Sequence, residues 1–219
     1  LVHIPTTIIG QVDSSIGGKV VVNFQGRKNI IGSFYQPHMI IMDPLALKTL
    51  DSRQVVNGLG EIVKYGLVFN RRILDRLKNI TDKKGYNIGR ITSDRDLGKI
   101  LIECIKIKAR VVEKDEFDTG YRNLLNFGHT IGHSLENIFK LEEINHGQAV
   151  SMGMIAALEI SVRLGFFPEE KKEEIKLFFR KLGIPCKIPD VSAEKVLEGL
   201  KYDKKFTSGT NRFILLKAI

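Results

Sequence analysis

Over residues 1–50 the apolar positions come in short clusters, Ile4 to Ile9, Val20 to Phe24, Asn29 to Phe34 and Met39 to Asp43, punctuated by Gly and Pro. Clusters of this length, rich in Val and Ile, predict strands. After Asp51 the period changes. Val55, Val56, Leu59, Ile62, Val63 and Leu67 recur at three- and four-residue spacing, as do Leu97, Ile100, Leu101, Cys104, Ile105 and Val112. That spacing puts them on one helical face. Further helical stripes run through Phe127 to Ile138, Ala149 to Leu164, Ile175 to Leu182 and Val196 to Leu200. Arg212 to Ile219 reads as a short apolar strand. The pattern predicts a β-rich piece over 1–50 joined to a mostly α-helical domain over 51–219, with no internal repeat.

The 219 residues suffice for one large domain or two small ones, and 43% hydrophobic with 27% charged residues excludes a disordered or low-complexity chain. No apolar run approaches the roughly 20 residues of a membrane-spanning helix. Two cysteines, Cys104 and Cys186, are too few for a disulfide scaffold and suit a reducing, cytoplasmic setting. The opening Leu-Val-His-Ile-Pro lacks the basic and long apolar regions of a signal peptide and does not start with Met, so the chain is expected to begin within a longer protein. The formal charge of +9 suits an anionic partner. Lys171, Lys172, Lys176 and Lys181 alternate with Glu169, Glu170, Glu173 and Glu174, however, which reads as a solvated helix face and argues against nucleic acid.

Candidate chemistry lies where polar residues interrupt apolar helix faces, because burying them costs free energy unless they are paired or bind something. Glu61 and Lys64 are three apart inside an apolar stretch and share one side of a helix; taken alone, they read as a surface ion pair. Lys108 follows Ile105 and Cys104 at three and four residues, so it projects from the apolar stripe and either snorkels outward or meets an anion in a cleft. His129 and His133 are spaced to share one helical face, and His146 follows beyond a short loop. With a carboxylate such as Glu61, two of these histidines suit a three-ligand zinc site and the third is left for proton transfer. Spacing does not choose which histidine is spared. The paired glycines before Lys19 allow close backbone approach to a phosphate, although the spacing is not that of a Walker loop.

Taken in order, Ile4-Pro5-Thr6-Thr7, Gln11 to Lys19, Lys28 to Gly32, Leu47 to Leu50, Gly60 to Gly66, Leu125 to Glu136, His146-Gly147 and Asp203-Lys204-Lys205 resemble the 3-dehydroquinate synthase family of sugar phosphate cyclases. The resemblance implies the end of an NAD-binding α/β domain followed by a metal-binding helical domain, in a cytoplasmic homodimer. The glycine-rich pyrophosphate turn that the family carries upstream has no counterpart here. Residue by residue, the metal ligands match Glu61, His129 and His146, with zinc or cobalt as the ion. His133, Asp118 and Lys64 match catalytic positions, Asp118 standing where Glu is usual. Asp13, Lys19, Asn29, Lys64, Lys108, Arg122, Asn126 and His133 match substrate-binding positions, joined by one or both of Lys204 and Lys205. Thr6, Thr7, Lys19, Lys28 and the turn Ala46, Leu47, Lys48 and Thr49 match residues that touch NAD. Two departures are mild, Val21 where Gly is frequent and Gln148 where Glu is common.

The implied reaction converts 3-deoxy-D-arabino-heptulosonate 7-phosphate to 3-dehydroquinate and phosphate, with NAD reduced and regenerated within the cycle. A substrate with a carboxylate and a phosphate explains why lysines and an arginine are needed at both ends. Rival readings are a related cyclase, such as a 2-deoxy-scyllo-inosose synthase, and a zinc-dependent polyol dehydrogenase. A basic helical module without catalysis is a third. With only one side of the NAD contacts present, this stretch alone is expected to bind NAD weakly, and Ile8, Val20, Val22, Ile31 and Ile41 are expected to be exposed apolar residues.

Overall fold

The computed structural model describes residues 1–24, 27–200 and 212–219, with the backbone alone for 23, 24, 27–30 and 140–142. The chain folds as two compact units, Leu1–Asn123 and Leu124–Ile219. Strands and short turns precede Asp51 and helices follow it, yet the first unit reaches to residue 123 because the N-terminal segments pack on its helices.

In the first unit β1 (Val2–His3) pairs in parallel with β4 (Met39–Ile40), and β2 (Lys19–Phe24) pairs antiparallel with β3 (Arg27–Phe34). Lys19 lies opposite Phe34 and Val22 opposite Ile31. The strand expected over Ile4 to Ile9 is not formed. Pro5 offers no N–H to a ladder, and the Thr7 hydroxyl accepts the Gly10 N–H at 3.1 Å, which starts a wide helical turn over Gly10–Ser14. Gln11 then bonds the Pro5 and Asp43 carbonyls through its side chain, at 3.2 and 2.8 Å. Val20, Val22, Ile31 and Ile41 are exposed as expected, but Ile8 is fully buried against α1 (Ser52–Val68), where a Cβ on Gly58 would fall 2.3 Å from it.

Asp51 caps α1 by accepting the Gln54 N–H. The expected stripe is buried, and so are the positions between its members, including Asn57, Glu61, Lys64 and Tyr65. This helix is enclosed rather than amphipathic. It packs with α2 (Arg72–Thr81) and α3 (Arg95–Lys114), which Asp94 caps. The buried face of α3 runs Leu97, Ile100, Leu101, Cys104, Lys108, Val111, with a lysine in an otherwise apolar row.

The second unit contains α4 (His129–Glu143), α5 (His146–Arg163), α6 (Glu169–Lys181) and α7 (Ala193–Leu200). Helices α4 and α5 approach closely because Gly128 and Gly153 face each other: a Cβ on Gly153 would sit 2.0 Å from the Gly128 carbonyl oxygen. Asn145 and Gln148 form a reciprocal capping box at the start of α5. Leu135, Ile144, Ala149 and Met152 make the core cluster, flanked by Ile131, Phe139 and Val196.

Two expectations fail in this unit. Residues 212–219 are irregular rather than a strand. Their backbone groups are taken by helix side chains, Thr130 donating to the Arg212 carbonyl and Leu216 N–H donating to Ser161, which leaves no ladder to join. Lys172 is buried rather than solvated: its ammonium bridges α6 to α5 through Glu159 at 2.5 Å and also holds Glu169 at 2.7 Å. Among the described residues, no helix is long and apolar enough to cross a membrane.

Candidate functional site

In the first unit, Glu61, Asp13 and Asp118 are each matched with a lysine. Glu61 and Lys64 form an ion pair one turn apart on α1, with side chains 0% and 1% exposed. The reading of this pair as a surface contact is therefore corrected: both charges are taken out of water, and neither is affordable there without a charged or metallic partner. Lys108 meets an anion, Asp13, which the wide turn presents to α3 from ninety-five residues away. The Tyr65 hydroxyl, 3.0 Å from the Val12 carbonyl and 3.3 Å from Asp13, ties the same turn to α1. Burial pulls the Lys108 ammonium below the usual lysine range while the Asp13 charge pulls it back up. Burial, then the charge of Asp13, holds Tyr65 well above the usual phenol range. Cys104 is raised by burial and by the Glu61 charge, so it stays a thiol and supplies no nucleophile.

Arg122 is buried with its guanidinium against neutral acceptors, the Gly17 carbonyl at 3.1 and 3.2 Å and the Glu116 carbonyl at 2.7 Å. Its position is set from two sides. Gly17 has φ of 101°, and a Cβ there would lie 2.4 Å from the guanidinium. On the other side the Asp115 carboxylate accepts the backbone N–H groups of Thr119, Gly120 and Arg122 at 2.8 to 2.9 Å, which holds its pKa far below the usual carboxylate range. The loop so formed carries Asp118 at φ of 59°, a left-handed conformation that Asp tolerates, and Asp118 pairs with Lys19.

Within the second unit the three histidine rings cluster. The centroids of His129 and His133 are 5.4 Å apart, and those of His129 and His146 are 5.3 Å apart. Two rings have their Nδ1 atoms against acceptors, His129 facing the Phe127 carbonyl at 3.3 Å and His146 facing the Glu136 carboxylate at 3.1 Å. A carbonyl or carboxylate oxygen accepts a hydrogen bond from Nδ1–H, so the ring lone pair belongs to Nε2, the form in which neutral imidazole ligates a metal. The donor chemistry therefore fits a divalent cation such as zinc.

Asn126 is half-buried at the end of the short helix Tyr121–Asn126. Thr6 is exposed, and Thr7 spends its hydroxyl on the turn cap. Ala46, Leu47, Lys48 and Thr49 lie on one short helix, Pro44–Thr49, in which Leu47 is buried and Lys48 and Thr49 are exposed. The Lys28 and Asn29 side chains, and Lys204 and Lys205 entirely, lie outside the described residues. Sequence reasoning passed over Tyr65, Asp115 and Glu136. Glu136 carried a usable signal, since it falls seven residues after His129 and so on the same helical face. Asp115 had none beyond its position ahead of a Gly-containing turn.

The chain was compared with known proteins. A family model described as 3-dehydroquinate synthase N-terminal matches residues 1–57, and one described as 3-dehydroquinate synthase C-terminal matches residues 58–206. A curated relative, the 3-dehydroquinate synthase of Crocosphaera subtropica, is 39% identical over 98% of this chain, and the chain spans 58% of that relative's length. Among solved structures, 2-epi-5-epi-valiolone synthase from Streptomyces hygroscopicus, with NAD+ and Zn2+ bound, superposes with a TM-score of 0.88 at 28% identity, over all of this chain and 59% of the other. A 2-deoxy-scyllo-inosose synthase complexed with carbaglucose-6-phosphate, NAD+ and Co2+ gives 0.82 at 27%, again over all of this chain and 59% of the other. The two family models meet end to end along this chain, which belongs to the 3-dehydroquinate synthase family.

Proposed function

We propose that the protein to which this chain contributes is a 3-dehydroquinate synthase, a phosphate-eliminating cyclase acting on 3-deoxy-D-arabino-heptulosonate 7-phosphate. The observation that carries the reading is the burial of Glu61, Lys64, Lys108 and Arg122 in a chain of this family, since a fold keeps four such charges out of water only for a reason that repays the cost. Glu61, His129 and His146 stand at the positions that the resemblance gives to metal ligands, and two of them, His129 and His146, have Nδ1 against an acceptor. They would hold the divalent cation, and Thr6, Thr7, Lys19, Lys28 and the 46–49 turn would contribute one side of the NAD site. When bound, the metal and NAD supply polarisation of a substrate hydroxyl and a hydride acceptor. The chain's own residues do the rest. Lys108 and Arg122, with Lys64, Asp13, Asn29, Asn126 and the Lys204-Lys205 pair, bind and orient the carboxylate and phosphate of the substrate. His133 moves a proton, and Asp118 holds the second acid–base position. Domains at 1–50 and 51–219, and a homodimer, belong to the same reading.

A second reading, a cyclase for an uncarboxylated sugar phosphate, is favoured by the likeness to 2-deoxy-scyllo-inosose synthase. Product analysis of the full-length protein with NAD and zinc decides. Equal amounts of phosphate and 3-dehydroquinate from the heptulosonate phosphate, without net NADH, are expected. Phosphate release from glucose 6-phosphate alone would move the assignment to the second reading, and net NADH without phosphate would make the protein a dehydrogenase.

A further inference from the structure

Glu136 is a buried charge with no part in the chemistry so far. Its carboxyl side chain is 1% exposed, next in sequence to Leu135 of the apolar cluster, and it reaches the first residue of the next helix. The contact is specific in its atoms: Glu136 Oε1 lies 3.1 Å from His146 Nδ1. Helix α5 begins at His146, and the capping box at Asn145 and Gln148 pins the backbone there, so the ring's remaining freedom is rotation about its side-chain bonds and the choice of tautomer. A carboxylate facing Nδ1 removes both. It keeps the proton on Nδ1 and turns Nε2 away from itself.

We propose that Glu136 is a positioning residue for the metal site, acting through His146. The proposal rests on the reading of His146 as a metal ligand and goes further by naming the group that prepares it. The companion ring, His129, shows the weaker version of the same device, with a neutral backbone carbonyl at 3.3 Å in the place of the carboxylate. The two ligands are thus graded, and His146, which is about a quarter exposed and starts a helix, is the one given the charged partner.

The experiment uses the full-length protein in three forms: wild type, Glu136→Gln and Glu136→Leu. Long-range proton–nitrogen NMR of the metal-free protein reads the His146 tautomer directly. Nδ1–H is expected in wild type and lost in Glu136→Leu. Zinc and cobalt affinities are then measured by chelator competition, with the visible spectrum of bound cobalt as the reporter of ligand geometry. Glu136→Leu should bind about 10 to 100 times more weakly with an altered cobalt spectrum, and Glu136→Gln, whose amide oxygen still accepts from Nδ1, should recover most of the affinity. An Nε2–H tautomer in wild type, or a Glu136→Leu affinity within twofold of wild type, overturns the proposal. A wild type that shows the Nδ1–H tautomer yet binds no metal instead overturns the ligand reading of His146, and with it the role claimed for Glu136.

Discussion

The two units bury polarity in different currencies. The first buries full charges, Glu61 with Lys64 and Lys108 with Asp13, and sets the Arg122 guanidinium on backbone carbonyls. The second gathers imidazoles and holds two of them by Nδ1 against acceptors. Buried ion pairs are expensive and exchangeable, since an incoming anion can take over a lysine or arginine already desolvated. Pinned imidazoles are cheap and directional, because a neutral ring with a fixed tautomer offers one lone pair along one line. The first unit is thus equipped to recognise charge and the second to offer neutral nitrogen donors.

The comparison breaks most visibly at the ligands. In the full-length protein purified without chelator, one divalent metal per chain is expected, and Glu61→Ala or His146→Ala should lose it to the point of substoichiometric occupancy by elemental analysis. Full occupancy in both variants would overturn the ligand assignment. Next in size is Lys64→Met, which leaves a carboxylate buried on α1 and should cost about 3–5 kcal/mol in urea denaturation of the metal-free protein. Adding Glu61→Leu to it should return much of that loss; if it does not, the pair is not what makes the single change costly.

Gly17→Ala comes third. Both its backbone conformation and the approach of Arg122 oppose a side chain, so a loss of about 1–3 kcal/mol is expected by thermal unfolding. Gly85→Ala, at φ of 75° with open space around it, isolates the backbone part of that cost. A fourth test is pH. The Asp115 pKa is depressed in the folded state, so its stabilisation is complete above the ordinary carboxylate value of about 3.9 and is lost as pH falls through and below it toward the depressed folded value. Amide protection factors at Thr119, Gly120 and Arg122 should fall over that acid range, and Asp115→Asn should show low protection already at neutral pH.

The smallest effect sharpens what burial of a pair means. Hydrogen bonds donated to Glu159 and Glu169 raise Lys172 to about 12, so its contribution is full below the ordinary lysine value of about 10.4 and fades as pH rises through 12. Both carboxylates are more than a third exposed and remain solvated when the lysine is removed. Lys172→Met should therefore cost no more than about 1 kcal/mol by denaturation at neutral pH, against the larger cost of Lys64→Met. A loss as large as that of Lys64→Met would remove solvation of the partner as the deciding factor.

Much of the local structure was legible in advance. The helices over 52–68, 95–114, 129–143, 146–163 and 169–181 follow the three- and four-residue periodicity, and the hairpin of β2 and β3 follows its β-branched runs. Both signals depend on neighbours a few residues away, which the order of residues determines by itself. The same order also determined which polar residues interrupt apolar faces, and so Lys108, Glu61 and the histidines as candidates. Tertiary structure decided what each of them meets. Glu61 and Lys64 have identical spacing whether on a surface or in a core, and only the enclosure of α1 put them in the core. Ile4 to Ile9 and Arg212 to Ile219 have strand composition, yet a ladder needs a second strand at hand, and instead Thr7, Thr130 and Ser161 took the backbone groups. Lys108 with Asp13 and His146 with Glu136 lie far enough apart in sequence that no periodicity links them; those contacts exist because apolar packing, which is non-directional, brought the helices together and left the polar atoms to find partners within reach.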